Sequence, residues 1–254
     1  MLLGGFLACL VVVDFHPPTG GDDIFQILLR WLHFLAGITW VGLLYFFNLV
    51  NVPFMKEVDA GMKPKIFQAL TLRALWWFRW GAVVTVLAGI AYWMVLMSGN
   101  VASAHSRGMP EATMGKASWS FFLIWIVAWA IINGLLTPLK GALNKGPVLA
   151  VIIGFVVAAA SYLYIAMNPE PWWSNNVLSI GIGGGMGFLM LLNVWGIIWR
   201  NNKKIIRGTL AGTPPANAAN LARQAFLASR ANFYLSFPML FFMASASHYA
   251  MFGK

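Results

Sequence analysis

Two histidines carry most of the chemistry that can be read from this sequence. His33 lies in "LLRWLHFLAGITWVGLLYFF", Leu28 to Phe47, and His248 in "SFPMLFFMASASHYAMFG" near the other end. Both sit in stretches apolar enough for lipid, where ionisable side chains are costly and read as functional by default. If the first stretch is a helix entered near Ile24, His33 lies about 13 Å below the membrane surface; if the last exits near Phe252, His248 lies about 6 Å below the same surface. Two imidazoles at similar depth on facing helices can ligate one iron from opposite sides of a porphyrin, so the pair predicts a b-type haem with His33 and His248 as axial ligands. Gly37 and Ala244, each one turn from its histidine, leave room for a flat macrocycle. Arg30, one turn outward from His33, is placed to pair with a haem propionate. Trp40, with Trp31, Tyr45, Phe241, Phe242 and Tyr249, supplies apolar walls.

A plainer account of the same residues stands beside this one. A lone membrane histidine commonly hydrogen-bonds a neighbouring helix, and an arginine near a helix end commonly snorkels to the headgroups. His16 and His105 fall in outer loops and read as solvated. Met94, Met97, Met239 and Met243 read as flexible core filler. Asn133 and Asn193 read as interhelical hydrogen-bonders, and Pro238 as a bend two to three turns before His248.

The elements that must position these residues follow from composition. Of 254 residues, 60% are hydrophobic and 9% charged, and the mean hydropathy is +0.74, outside the range of soluble domains. Six continuous apolar runs, at about 24–50, 80–98, 118–137, 147–167, 176–199 and 231–252, each approach the roughly 20 residues of a spanning helix. Their continuity favours helices over an alternating barrel. The expected fold is therefore all-α, a polytopic integral membrane bundle of six transmembrane helices. "MLLGGFLACLVVV", Met1 to Val13, is too short to span and lacks a basic leader region; it reads as an extra, partly inserted N-terminal helix. Residues 1–23 thus form an N-terminal apolar segment and outer loop, and residues 24–254 the transmembrane domain. Cys9 is the only cysteine, so no internal disulfide forms.

Charge orients the bundle. Thirteen of the 17 Lys and Arg residues flank the first–second, third–fourth and fifth–sixth connections, from Lys56 to Arg230, against Arg107, Lys116 and Lys254 on the other side. The positive-inside rule puts those connections in the cytoplasm, and the C-terminus outside, in the periplasm of a bacterial inner membrane. The net charge of +10 is then a topology signal with anionic-lipid contact, and nucleic acid is not an expected partner. The central part of "MKEVDAGMKPKIFQALTLRALWWFRW", Met55 to Trp80, reads as an amphipathic interfacial helix anchored by Trp76 and Trp77, and the Pro- and Ala-rich "GTLAGTPPANAANLARQAF" as a turn before a short helix. "GIGGGMG", Gly181 to Gly187, holds two small-xxx-small registers for close helix packing. No phosphate-binding loop, dinucleotide fingerprint or repeat is present.

The segments Leu28–Asn51, "LLRWLHFLAGITWVGLLYFFNLVN", and Asn232–Gly253, "NFYLSFPMLFFMASASHYAMFG", resemble the first and last segments of the urate oxidase N-terminal membrane domain. That domain occurs in bacterial membrane-bound urate hydroxylases, where a cytochrome c domain follows it. The resemblance runs from about Ile24 onward, the middle helices agreeing in hydropathy and spacing. It implies a helical membrane domain in which His33 and His248 stand at candidate haem-ligand positions. The sequence to Lys254 contains no CxxCH, so the expected electron partner is a separate periplasmic c-type cytochrome or a larger membrane complex. Three functions follow as expectations. The first is a membrane-integral electron-transfer subunit. The second is a cofactor-free accessory or scaffold subunit, and the third a urate-hydroxylase-like oxidoreductase needing a separate cytochrome c. A copper or solute transporter is weaker, since no Met/Cys/His relay crosses the membrane.

Overall fold

The computed structural model describes residues 20–137 and 145–252, and every regular element among them is helical. Six long helices follow one another: α1 Gly21–Glu57, α2 Ala60–Ser106, α3 Gly115–Leu136, α4 Gly146–Met167, α5 Asn175–Leu210 and α6 Ala218–Ser245. The first five are long and apolar enough to cross a membrane. The expected seventh helix at Met1 to Val13 lies outside the described residues.

Three expectations change. The stretch Met55 to Trp80 is not a separate interfacial helix: α1 runs on to Glu57, the chain reverses over two residues, and α2 begins at Ala60. Its 47 residues span about 70 Å against about 30 Å of hydrocarbon. Likewise α5 continues to Leu210, and the predicted short helix is the first part of α6. The third concerns the last apolar run, expected as a helix over 231–252; α6 stops at Ser245, and α6 is not among the five apolar spans. Arg223, Gln224, Arg230 and Asn232 lie within α6 and dilute its hydropathy. Its early end has a local cause. Asn175, at the start of α5, donates Nδ2 to the carbonyls of Ala246 and Tyr249, both at 2.7 Å, and accepts through Oδ1 from the amides of Met251 and Phe252 at 2.8 and 2.9 Å. Four backbone groups satisfied by one side chain let the chain leave the helix without orphaned polar atoms.

The core is built round α5, the most buried of the spanning helices, and α1 is the most exposed. The two glycine registers of α5 serve different neighbours. A Cβ at Gly181 would overlap the Tyr164 ring of α4, and one at Gly185 the Trp125 indole of α3. On the other face, a Cβ at Gly183 would meet the Met239 carbonyl and Phe242 of α6 at 3.0 Å. Close approach in a membrane replaces the hydrophobic drive that lipid does not supply. Asn193 works as expected, donating to Asn232 Oδ1 of α6 at 2.8 Å, while Asn232 donates to the Met190 carbonyl at 3.0 Å. Asn133 shows only its backbone carbonyl at work, accepting from Thr137 within its own helix end. Pro238 lies inside α6. Three helices each contain one π-helical turn: Phe46–Asn51 in α1, Phe67–Thr71 in α2 and Val194–Trp199 in α5.

Candidate functional site

On α1, His33, Gly37, Trp40 and Leu44 recur at helical spacing and form the face that packs on α2. Their counterpart on α2 is a groove of small residues, Gly81, Thr85 and Gly89, one turn apart. The Gly81 position touches Trp40 Cβ at 3.4 Å and the Gly37 position touches Thr85 Cγ2 at 3.6 Å. The imidazole of His33 lies so close over Gly89 that a Cβ there would come within 2.8 Å of Cε1 and 2.9 Å of Nδ1. His33 Nδ1 is 2.7 Å from the Thr85 carbonyl oxygen. A carbonyl only accepts, so Nδ1 carries the proton, and in the neutral ring the lone pair is on Nε2. Such a bond from the far ring nitrogen is what orients a metal-ligating histidine; it is equally what satisfies a histidine buried between two helices.

Arg30 belongs to the same seam. Its guanidinium stands 5.6 Å from the centre of the Tyr92 ring of α2, one turn beyond Gly89, which holds it by a cation–π contact. Trp40 is buried, and its Nε1 has no hydrogen-bond partner among the described residues.

His248 is placed differently. It lies in the turn after α6, exposed, with Nδ1 3.3 Å from the Ala244 carbonyl and its backbone amide bonded to Ser245. The helix expected through His248 ends at Ser245, and the Asn175 clamp holds the turn that carries His248. The helices themselves do meet, but lower down. Tyr45 Oη is 3.1 Å from Ser236 Oγ, the Tyr45 ring packs 5.2 Å from Phe233, and Asn48 donates to Ser229 Oγ at 3.0 Å. Farther out on the same faces, Trp31, Phe34 and Ile38 of α1 and Leu240 and Ala244 of α6 are exposed. His33 is turned about 100° from that α6-side face, toward α2. His33 thus offers an Nε2 that is unbonded among the described residues, and His248 lies in the exposed turn after α6. No group of three or more His, Cys, Asp or Glu side chains suited to a metal ion occurs among the described residues.

The other histidines resolve simply. His105 is exposed, as expected of a solvated side chain, and its Nε2 also lies 3.0 Å from the Ala112 carbonyl in the α2–α3 loop. His16 lies outside the described residues. Asn175 was missed, and its signal was available: a Ser-Asn-Asn opening of a helix, with Ser174 as the cap accepting from the Val177 amide.

The family model for the urate oxidase N-terminal domain matches residues 64–254. The chain belongs to this family. The match covers α2 to α6 and the family resemblance of the closing segment, whereas the "RWLH" segment of α1 precedes it. Among curated proteins and solved structures, none matches the chain. The members of this family and the present chain thus share the part of the bundle that builds the α2 groove, and His33 enters that groove from outside the matched span.

Proposed function

We propose that this chain is a membrane-integral electron-transfer subunit of an oxidoreductase assembly, lying in a bacterial inner membrane with its C-terminal side toward the periplasm. A separate c-type cytochrome or a larger complex exchanges electrons with it. The observation that carries this reading is His33, with Nδ1 fixed on the Thr85 carbonyl and Nε2 left over, in a chain of an oxidase-associated family. Haem b, where bound, supplies one-electron transfer. The chain's own residues do the holding: Thr85 and Gly89 set the ring plane of His33, and Arg30 provides a positive charge at the same seam. The exposed apolar side chains of α1 and α6 exclude water. His248, in the turn after Ser245, is the second candidate ligand.

Absorption spectra of the detergent-purified chain, oxidised and dithionite-reduced, test this. A reduced b-type spectrum lost in His33→Ala supports it, and loss in His248→Ala adds the second ligand. A well-folded preparation without haem, from cells supplied with haem, overturns it. A second reading, a cofactor-free accessory subunit, is favoured by a specific observation: His33 is already satisfied by Thr85, and His248 is exposed. In that case His33→Gln leaves the spectrum and co-purification with the larger complex unchanged.

A further inference from the structure

The end of α5 and the start of α2 hold a feature that the electron-transfer reading does not use. Arg79 of α2 reaches across to α5, where its guanidinium lies 3.9 Å from the centre of the Trp199 ring and 5.5 Å from that of Trp195. Its Nε is buried and has no hydrogen-bond acceptor among the described residues, and neither has Trp195 Nε1. The π-helical turn Val194–Trp199 brings both indoles to this seam. Such turns interrupt a helix at a cost and cluster at functional sites. Immediately after it come Arg200, Lys203, Lys204 and Arg207, spaced so that all four share one face of the helix over about 10 Å. Together with the two indoles they line a cavity of about 410 Å³.

Like charges at this spacing destabilise a helix, and among the described residues no carboxylate lies within ion-pair distance of these four side chains. Among the described residues the one ion pair is Lys116 with Glu170, in the opposite set of connections. The stripe therefore lacks a counter-charge that the described protein does not provide. The surroundings say where that charge comes from. Trp76, Trp77 and Trp80 are exposed on the adjoining turns of α2, and Trp80 packs edge-on against Trp195 at 5.4 Å, a belt of the kind that marks the membrane interface. Cations at the headgroup level, with indoles on the hydrocarbon side, suit an amphiphile whose head is anionic.

We infer that the Arg79–Trp195–Trp199 cage and the Arg200–Arg207 stripe form a binding site for an anionic phospholipid, and that its length favours a headgroup with two phosphates over one. One phosphate engages one or two cations. Two phosphates a few ångströms apart engage the whole stripe, while the indoles contact the glycerol and upper acyl chains.

The test uses the full chain in zwitterionic detergent, titrated with diphosphatidylglycerol, phosphatidylglycerol or phosphatidylcholine, with bound lipid counted by native mass spectrometry. Diphosphatidylglycerol should bind tightest, with phosphatidylcholine weaker by roughly tenfold or more. The variant Lys203→Gln/Arg207→Gln should lower diphosphatidylglycerol affinity by a similar factor, and Arg79→Lys, which keeps the charge but loses the stacking plane, by less. Arg107→Gln, on the opposite side, should change nothing. If the double variant fails to fold, Lys203→Gln and Arg207→Gln singly are read for the same loss. Equal loss in Arg107→Gln, no preference over phosphatidylcholine, or displacement by equimolar inorganic pyrophosphate, which would make this a site for soluble phosphates, overturns the inference.

Discussion

The α1–α2 seam and the α5–α6 seam both seat polar side chains among glycines inside the membrane, and they close to different degrees. In the α5–α6 seam, Asn193 and Asn232 are fully buried and bond each other and the Met190 carbonyl, Gly183 and Gly187 seat Phe242 and Met239 of α6, and the opposite face of α5 is closed by Tyr164 and Trp125. At the level of His33 only the α2-facing side of α1 is covered, and His33 makes one hydrogen bond with its second ring nitrogen left over. A seam enclosed on both sides encodes position. One enclosed on a single side can still accept something more, which is why the site hypothesis rests on His33 rather than on the more deeply buried asparagines.

Four substitutions break or sharpen this contrast. Gly183→Leu has the largest expected effect, because its side chain collides with the backbone carbonyl of Met239 and with Phe242 of α6. A loss of about 3 kcal/mol or more, seen as aggregation on gel filtration and loss of a cooperative thermal transition, is expected. Asn193→Ala comes next, at roughly 1–2 kcal/mol in denaturant titration, since it strands Asn232 in the core. Asn193→Ala/Asn232→Leu should recover part of that loss. Gly89→Ala pushes the His33 ring away from Thr85 at a cost of about 1 kcal/mol, and ¹⁵N imidazole spectra should show Nδ1 losing its carbonyl partner. Tyr45→Phe removes the contact to Ser236 where α1 meets α6, and a change below about 1 kcal/mol is expected. If Gly89→Ala destabilised the protein as much as Gly183→Leu, the two seams would be equivalent and the contrast would fail.

Much of this architecture was legible because bilayer thickness sets a length that apolar runs must meet. The five runs from 24–50 to 176–199 each lie within or close to a helix, and the GIGGGMG stretch proved to be the packing seam its spacing predicted. Hydropathy could not show where helices outrun the membrane, because Lys63 to Arg79 and Arg200 to Leu210 are polar enough to resemble loops yet continue α2 and α5. Nor could it show the end of α6. The run 231–252 stays apolar through its last residues, and what stops the helix is a side chain more than 70 positions earlier, Asn175. The same long-range contact sets the backbone around His248. His33 lay in a helix as read, with a partner on α2 rather than α6, and His248 was placed in a turn by a residue that carries no chemistry of its own.

The π-helical turns in α1, α2 and α5 have a bearing on how this chain tolerates change in length. Each such turn holds one residue more than an ordinary helical turn, so the faces on either side keep their partners only because that residue bulges out. Deleting one residue from 194–199 would relax the bulge to regular helix and leave the basic stripe in register with the glycine face. Alignments of related chains should therefore place single-residue gaps at these three turns, and none between Gly181 and Gly187, where one missing residue would turn the glycines away from Trp125 and Tyr164.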